Sequence, residues 1–517
     1  MLAAMEVLAE SPPLLPRTRT SARSTTGERI IKAYFGGNAL VAVIVLALIT
    51  IFLCREGFGF FGQNLANLRV YRAAGLEYVD LIRAKADEHT AFSRALSDLR
   101  LRQVRASQSR GLGQDEINAS LAAFDQFAGA FSDSAAGLNG LVSDLGDQAS
   151  ALKEQLLAQK EAPPTSASEV NRATALAAIT AGTPGFENAS AAMKLEIERL
   201  LAAAPVFRDA AVQGAFEKWK MEARDYLSTL PAIAQQLRTW SPNEPVPWYR
   251  SISSFLFGHD WITASFWQDW YGIRPLLVGS ILVSAVALFF AVPLGVASAV
   301  YVSEIATRQE KRVIKPYIEF IAAIPSVVLG FFGIAVFGQA VRALSELPFF
   351  SWVPFFPISE RLNIFTAGCL LALMAVPTIF TLAEDALRNV PRGFKEASYA
   401  LGANRLQTIA RVLVPASLSG IVSAVLLGLG RVIGETMIVL LCAGNRIEIP
   451  DFSQGLGAIF QPVHTMTGII AQEMGEVVRG STHYRALVMV GLVLFVLTLG
   501  INYLAQKFVA RFRMSIG

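Results

Sequence analysis

The sequence predicts an all-α membrane protein with six transmembrane helices and one large helical extracytoplasmic insert between the first and second spans. Three observations carry that expectation. Of 517 residues, 53% are hydrophobic and only 17% charged, too apolar a balance for an ordinary soluble chain. Six apolar runs reach roughly 20 residues, the length a helix needs to cross about 30 Å of hydrocarbon. Lysines and arginines gather in alternate short flanks of those runs, as the positive-inside rule requires of cytoplasmic segments.

Taken in order, residues 1–34 read as a disordered cytoplasmic tail, rich in Ser, Thr, Pro and Arg. The first transmembrane helix is expected over 35–55. A signal peptide is the competing reading, but the run lacks a small-x-small cleavage pattern, and Leu53 before Cys54 is wrong for a lipoprotein. Further spans are expected over 275–302, 317–341, 364–383, 418–443 and 486–505. Arg17, Arg19, Arg23, Arg29 and Lys32 precede the first span, and Arg308, Lys311, Arg312 and Lys315 separate the second from the third. Arg388, Arg392, Lys395, Arg405 and Arg411 lie between the fourth and fifth, and Lys507, Arg511 and Arg513 follow the sixth. The opposite connections carry only Arg361, Arg446, Arg479 and Arg485. Six spans with both termini in the cytoplasm satisfy every flank.

The polar stretch 56–270 then lies outside the cytoplasm and is long enough to be a domain. Leu138, Leu141, Leu145, Ala149, Leu152 and Leu156 recur at alternating steps of three and four, a heptad-like helical stripe. Breaks at "APPTSAS" and "AGTPGF" divide the insert into separate helices folded back on one another. No ligand chemistry stands out in it, so packing on itself or covering the outer mouth outweighs a sensing or docking role. The aromatics of 248–272 suit a membrane interface. His89, His259, His464 and His483 have no informative spacing. Cys54, Cys369 and Cys442 form no CxxC pair and stand near no histidine cluster, so neither a disulfide nor a metal is expected. A net charge of +4 leaves no footprint for nucleic acid.

The basic loop "NVPRGFKEASYALGANRLQTIARVLVPASLSG" reads as a short helix from Pro391, a turn at Gly402 with left-handed backbone, a second short helix, and a stop at Pro415. Phe394, Ala397, Tyr399, Ala400 and Leu401 leave part of one face free. Through Glu396, Ala397, Ser398, Gly402 and Pro415, residues 391–415 resemble the EAA loop of the integral-membrane subunits of ABC importers. Ser398, Val412 and Val414 are mild departures. The resemblance implies the type I ABC importer permease fold, with Glu396, Ala397, Ser398 and Gly402 in coupling helices that dock on a cytoplasmic ATPase. The chain has no G-x-x-x-x-G-K-[ST] pattern, so ATP hydrolysis is expected on a separate polypeptide and the chain itself is not expected to be an enzyme.

Two stretches, "IEFIAAIPSVVLGFFGIAVF" and "LGLGRVIGETMIVLLCAGN", resemble the phosphate-importer branch of that family, the PstC-type permeases. The resemblance covers 271–517, the permease core with five spans, and the first span by position. A charge at mid-membrane depth costs about 2.5–3.5 kcal/mol on insertion scales and faces a bundle interior or an aqueous path. Arg431 and Glu435, four apart, are expected on one helix face where they can pair. A structural ion pair is the plainer reading, but a guanidinium also matches a phosphate oxyanion through two parallel hydrogen bonds. Arg431 is therefore expected to contact the transported anion. Two roles are open to Glu435: holding Arg431 while the path is empty, or accepting a hydrogen bond from protonated phosphate that sulfate cannot offer. Thr436 follows on the adjacent face. In the third span Pro325 frees a carbonyl, while Ser326, Gly330 and Gly333 either line the path or permit close packing. Glu319 reads as structural.

The resemblance implies a permease subunit without chemistry of its own or any cofactor. It would work by alternating access beside a homologous PstA-type permease, two ATPase subunits, a periplasmic phosphate-binding protein and membrane lipid. The rivals are the same machine carrying sulfate or molybdate, and a membrane sensor built on the insert, which would need a signalling module.

Overall fold

The computed structural model describes residues 22–111, 113–159, 166–207, 209–263, 265–350, 352–353 and 355–512. The expected tail is corrected in its second part. Residues 1–21 lie outside the described residues, but from Ala22 the chain is already helical, and α1 (Ala22–Ala73) runs 52 residues without interruption. That is about 78 Å at 1.5 Å per residue, more than twice the hydrocarbon thickness. The helix therefore passes straight through the expected boundary at 55–56, because polar residues beyond an apolar run do not themselves end a helix. Gly75 does, at φ 78°, and turns the chain into α2 (Leu76–Ser109).

The insert continues through α3 (Gln114–Asp133), α4 (Ala136–Gln159), α5 (Ser166–Thr180), α6 (Thr183–Ala202) and α7 (Ala210–Thr239). Apolar residues recur at helical spacing. Ile117, Leu121, Phe124, Phe127 and Phe131 form the buried face of α3, and Phe216 and Trp219 of α7 pack against them edge to face. The expected leucine stripe lies on α4, with Leu138, Leu145, Ala149 and Leu152 buried and Leu141 and Leu156 packed at the edge. Of the expected breaks, 181–182 is a turn before α6, whereas 162–165 lie outside the described residues. Asp209 caps α7 by accepting from the backbone N–H of Ala211 and Val212.

Beneath the bundle, α8 (Tyr249–Phe257) and a two-stranded ribbon, β1 (Trp261–Ile262) with β2 (Trp270–Tyr271), lead to the membrane. Trp248, Tyr249, Phe257 and Phe266 stay exposed there, while Phe255, Trp261 and Tyr271 join a core with Phe60 and Leu487. Two half-buried links tie the base of the insert down. The Trp267 Nε1 proton goes to Asp80 (2.8 Å), and Lys153 Nζ donates to the Trp267 carbonyl (2.6 Å).

The membrane part comprises α9 (Arg274–Val300), α10 (Arg308–Ala323), α11 (Ser326–Phe332), α12 (Gly338–Ser345), α13 (Ile364–Arg388), α14 (Arg392–Ala400), α15 (Arg405–Thr408), α16 (Val414–Ala416), α17 (Leu418–Gly434), α18 (Met437–Cys442), α19 (Met466–Glu473) and α20 (Thr482–Phe512). Among the described residues five helical stretches are long and apolar enough to cross a membrane, and the pair 405–416 with α17, bent by 68°, makes a sixth. The third span is shifted from its expected 317–341 to Ser326–Ser345. Pro325 ends α10 by holding extended backbone (ψ 137°), and α10 itself buries no residue. α13 is the central helix, packed along α9 and α17, and α1 runs along α20.

Candidate functional site

The fifth span is two helices. α17 stops at Glu435, whose backbone is extended (ψ 132°), and α18 restarts at Met437. The expected Arg431–Glu435 pair on one helix face is thereby corrected: among the described residues no ion pair joins them. Glu435 instead accepts from the backbone N–H of Met437 through Oε1 (3.1 Å), satisfying one of the donors a helix start leaves open. Its backbone carbonyl accepts from Thr467 Oγ1 (2.9 Å). Arg431, exposed, donates from Nη1 to Thr378 Oγ1 on α13 (2.9 Å). Thr436 occupies the break, half-buried.

Glu435 borders a small polar cavity of about 10 Å³, shared with Ser280, Ser284, Thr465 and Thr467. That is about the room one water needs. The cavity exists because the loop before α19 folds inward against α9. At Gly279 an added Cβ would stand 2.1 Å from the His464 carbonyl oxygen, so only glycine admits the loop. Ser280 Oγ then accepts from the Met466 N–H (2.9 Å), and His464 is held through Nε2 by Gln472 (3.1 Å). Thr378, Ser280, Ser284, Thr465 and Thr467 were missed by sequence reasoning. The four-residue spacing of Ser280 and Ser284 in an apolar helix was the available signal for those two.

Ser326 stands half-buried at the first turn of α11, and no hydrogen bond joins it to Arg431 or Glu435. Gly330 and Gly333 serve packing: an added Cβ would meet Leu441 at 2.5 Å and the Cys442 Sγ at 2.4 Å. Glu319 is exposed and makes no ion pair among the described residues. Glu384 pairs with Lys315 (2.6 Å) and Glu304 with Lys395 (2.7 Å) instead.

The basic loop has the expected shape. Pro391 precedes α14, Gly402 has φ 82°, and Asn404 caps α15 reciprocally with Gln407. Ser398 and Thr408, both buried, share a hydrogen bond of 2.9 Å that holds the two short helices together. Glu396 and Ala397 are exposed, as are Tyr399, Leu401 and Leu406. Lys395 and Arg405 both reach Glu304 at the end of the second span, through its carboxylate and its carbonyl respectively. The loop is thus anchored to a transmembrane helix and presents an apolar face outward. Among the described residues there is no metal-ligand cluster.

Residues 291–514 match the profile of the binding-protein-dependent transport system inner membrane component family. The chain is 33% identical over 277 residues to the phosphate transport system permease protein PstC of Haemophilus influenzae, covering 50% of this chain and 84% of that protein. It is 37% identical over 242 residues to the probable ABC transporter permease protein YqgH of Bacillus subtilis, covering 46% and 72%. Among solved structures, a chain of the MetNI methionine ABC transporter in an inward-facing conformation aligns with 21% identity and a TM-score of 0.34, over 47% of this chain and 95% of that one. The identity to such permeases across most of their length, together with the profile match, establishes that the chain belongs to the binding-protein-dependent transport system inner membrane component family.

Proposed function

We propose that the chain is the PstC-type permease subunit of an ATP-driven importer of inorganic phosphate. The observation that carries this reading is Arg431: a guanidinium exposed beside a break in the fifth span, hydrogen-bonded to a hydroxyl and paired with no carboxylate among the described residues. A permanent cation at that depth is costly unless an aqueous path or an anion compensates it, and its planar fork suits a phosphate oxyanion. Of the two carboxylate oxygens of Glu435, Oε1 is engaged by the next helix, and no ion pair ties Glu435 to Arg431 among the described residues, which favours the second of its two expected roles over holding Arg431. That role is to accept a hydrogen bond from protonated phosphate, with Thr436 beside it. Ser326 belongs to the path only as a distal lining group.

In this reading both termini are cytoplasmic and residues 56–270 form a periplasmic insert between 35–55 and the 271–517 core. The loop 391–415 docks on an ATPase through Glu396, Ala397 and the apolar face of α14 and α15, with Ser398 and Gly402 keeping its shape. The clamp of Lys395 and Arg405 on Glu304 lets the loop move the second span as a rigid body. A homologous PstA-type permease covers the Arg431 face, two ATPase subunits sit below, and a periplasmic phosphate-binding protein delivers from above.

The test is accumulation of labelled phosphate in cells lacking other phosphate uptake and expressing the whole importer. Arg431→Gln is expected to assemble normally and lose uptake about a hundredfold, the scale of two charge-assisted hydrogen bonds. Sulfate and molybdate should leave wild-type uptake intact. Blockade by either would overturn the substrate, and normal transport by Arg431→Gln would reduce that residue to a structural one.

A further inference from the structure

Between α2 of the insert and the connecting loops of the permease core lies a cavity of about 740 Å³. On the insert side its charged residues are Asp98, Arg102 and Arg105, spaced four and three apart and so on one face of α2. The opposite wall offers the polar side chains of Ser359, Ser453 and Gln454. Its floor is apolar, with Phe355 stacked on Phe460 at 5.6 Å.

Two features distinguish this cavity from an ordinary gap between packed bodies. Elsewhere on α2 and at its end, Arg100 pairs with Asp125 (2.7 Å) and Arg110 with Asp209. Neither Arg102 nor Arg105 has a carboxylate within 4.0 Å among the described residues, so two guanidinium groups face one carboxylate, that of Asp98. Asp451 is not among the residues that line the cavity, and its carboxylate accepts from the Ser453 N–H (2.9 Å) and from Gln454 (3.2 Å). The second feature is that one loop lines both this cavity and the small cavity at Glu435. Gln461 in the cavity wall accepts from the Ile364 N–H at the start of α13, and four residues later the same loop reaches Thr465 and Thr467 beside Glu435.

We propose that this cavity is an antechamber that binds a phosphate-class oxyanion, with Arg102 and Arg105 as its ligands, before the anion enters the path at Arg431. The insert then takes part in transport instead of merely covering the mouth. Paired guanidinium groups suit such an anion by fork geometry, and a cationic recess raises its local concentration. The inference rests on the phosphate reading only for the choice of anion.

The experiment is equilibrium binding of labelled inorganic phosphate to the purified full-length importer complex without its binding protein. Arg102→Gln/Arg105→Gln is expected to weaken binding about tenfold or more, Arg102→Lys/Arg105→Lys to recover most of it, and Arg94→Gln, outside the cavity, to change nothing. Arg431→Gln should retain this binding, which separates the antechamber from the path. Equal binding by wild type and the double Gln variant overturns the proposal, as does a double Gln variant that binds phosphate normally but no longer captures the binding protein. Uptake of sulfate or molybdate in place of phosphate by wild type would sink the phosphate reading alone, and the same variants then judge the antechamber with that anion.

Discussion

Gly279 shows how much of the site depends on one missing methyl group. The atom that its Cβ would strike is backbone, the His464 carbonyl, and backbone held by Ser280, Gln472 and Thr467 does not move aside as a flexible side chain would. Gly279→Ala should therefore destabilise the purified protein by about 1–3 kcal/mol, the range for overpacking a close-packed interior. Gly129→Ala, on α3 with nothing within 4 Å of its added Cβ, should be neutral or more stable by up to about 1 kcal/mol from helix propensity. Thermal unfolding in detergent compares them, and equal melting would show that the inward loop is looser than its packing implies. Residues with unusual chemistry were legible in the sequence: Arg431 because charge is rare in an apolar run, Gly402 because a turn between short helices needs left-handed backbone. Thr378 was not, since a threonine in an apolar helix normally bonds its own backbone, and only the fold brings it under a guanidinium from 53 residues away.

At the scale of elements, hydropathy located the spans and missed their breaks. An apolar window reads the same whether the helix continues or restarts, so 418–443 looked like one span although Glu435 and Thr436 interrupt it. Pro325 carried a sign of its break, but the apolar residues on both sides hid the division between α10 and α11. The shape of the basic loop 391–415 was legible because capping and turn residues act locally, within a few positions. Its attachment was not, because Glu304 and Lys395 are 91 residues apart. That attachment predicts a specific defect. Lys395→Met removes the partner of a carboxylate that is only 9% exposed and loosens the loop from the second span. ATP hydrolysis by the complex should persist while phosphate moved per ATP falls about two- to thirtyfold, the span of 0.5–2 kcal/mol in coupling. Glu304→Gln/Lys395→Met should recover part of the loss by leaving no unpaired charge. An unchanged ratio in the single variant would show that motion passes through Arg405 alone.

Over the whole molecule, the insert and the membrane bundle keep separate hydrophobic cores, joined at the base where Phe60, Phe255 and Tyr271 meet Met466 and Leu487. Two cores of such different surroundings should respond differently to acid, and the titrating groups of the insert give the sign. His89 is buried, stacked on Phe131 at 4.4 Å and bonded through Nε2 to the Phe131 carbonyl. Burial pushes its pKa below the ordinary value, outweighing the carbonyl. The unfolded chain then binds the proton first. Stability falls as pH drops below about 6.5, by up to about 1.4 kcal/mol per unit until the folded ring itself protonates. Glu77 adds a later loss. Burial alone would raise its pKa, but Arg72 and Arg250 outweigh it and hold the carboxyl below its usual range, so its contribution is present above about 4.5 and disappears below. Asp80 acts oppositely: burial raises its pKa despite bonds from Tyr71 and Trp267, so protonating it favours the folded state and offsets part of the loss. The insert should accordingly loosen between pH 6.5 and 5 while the membrane bundle stays folded. Limited proteolysis across that range should cut within 76–239 first. His89→Phe, which keeps the stacking and removes the titrating ring, should be less stable at neutral pH yet lose less on acidification. Equal acid sensitivity in both proteins would assign the effect to other groups.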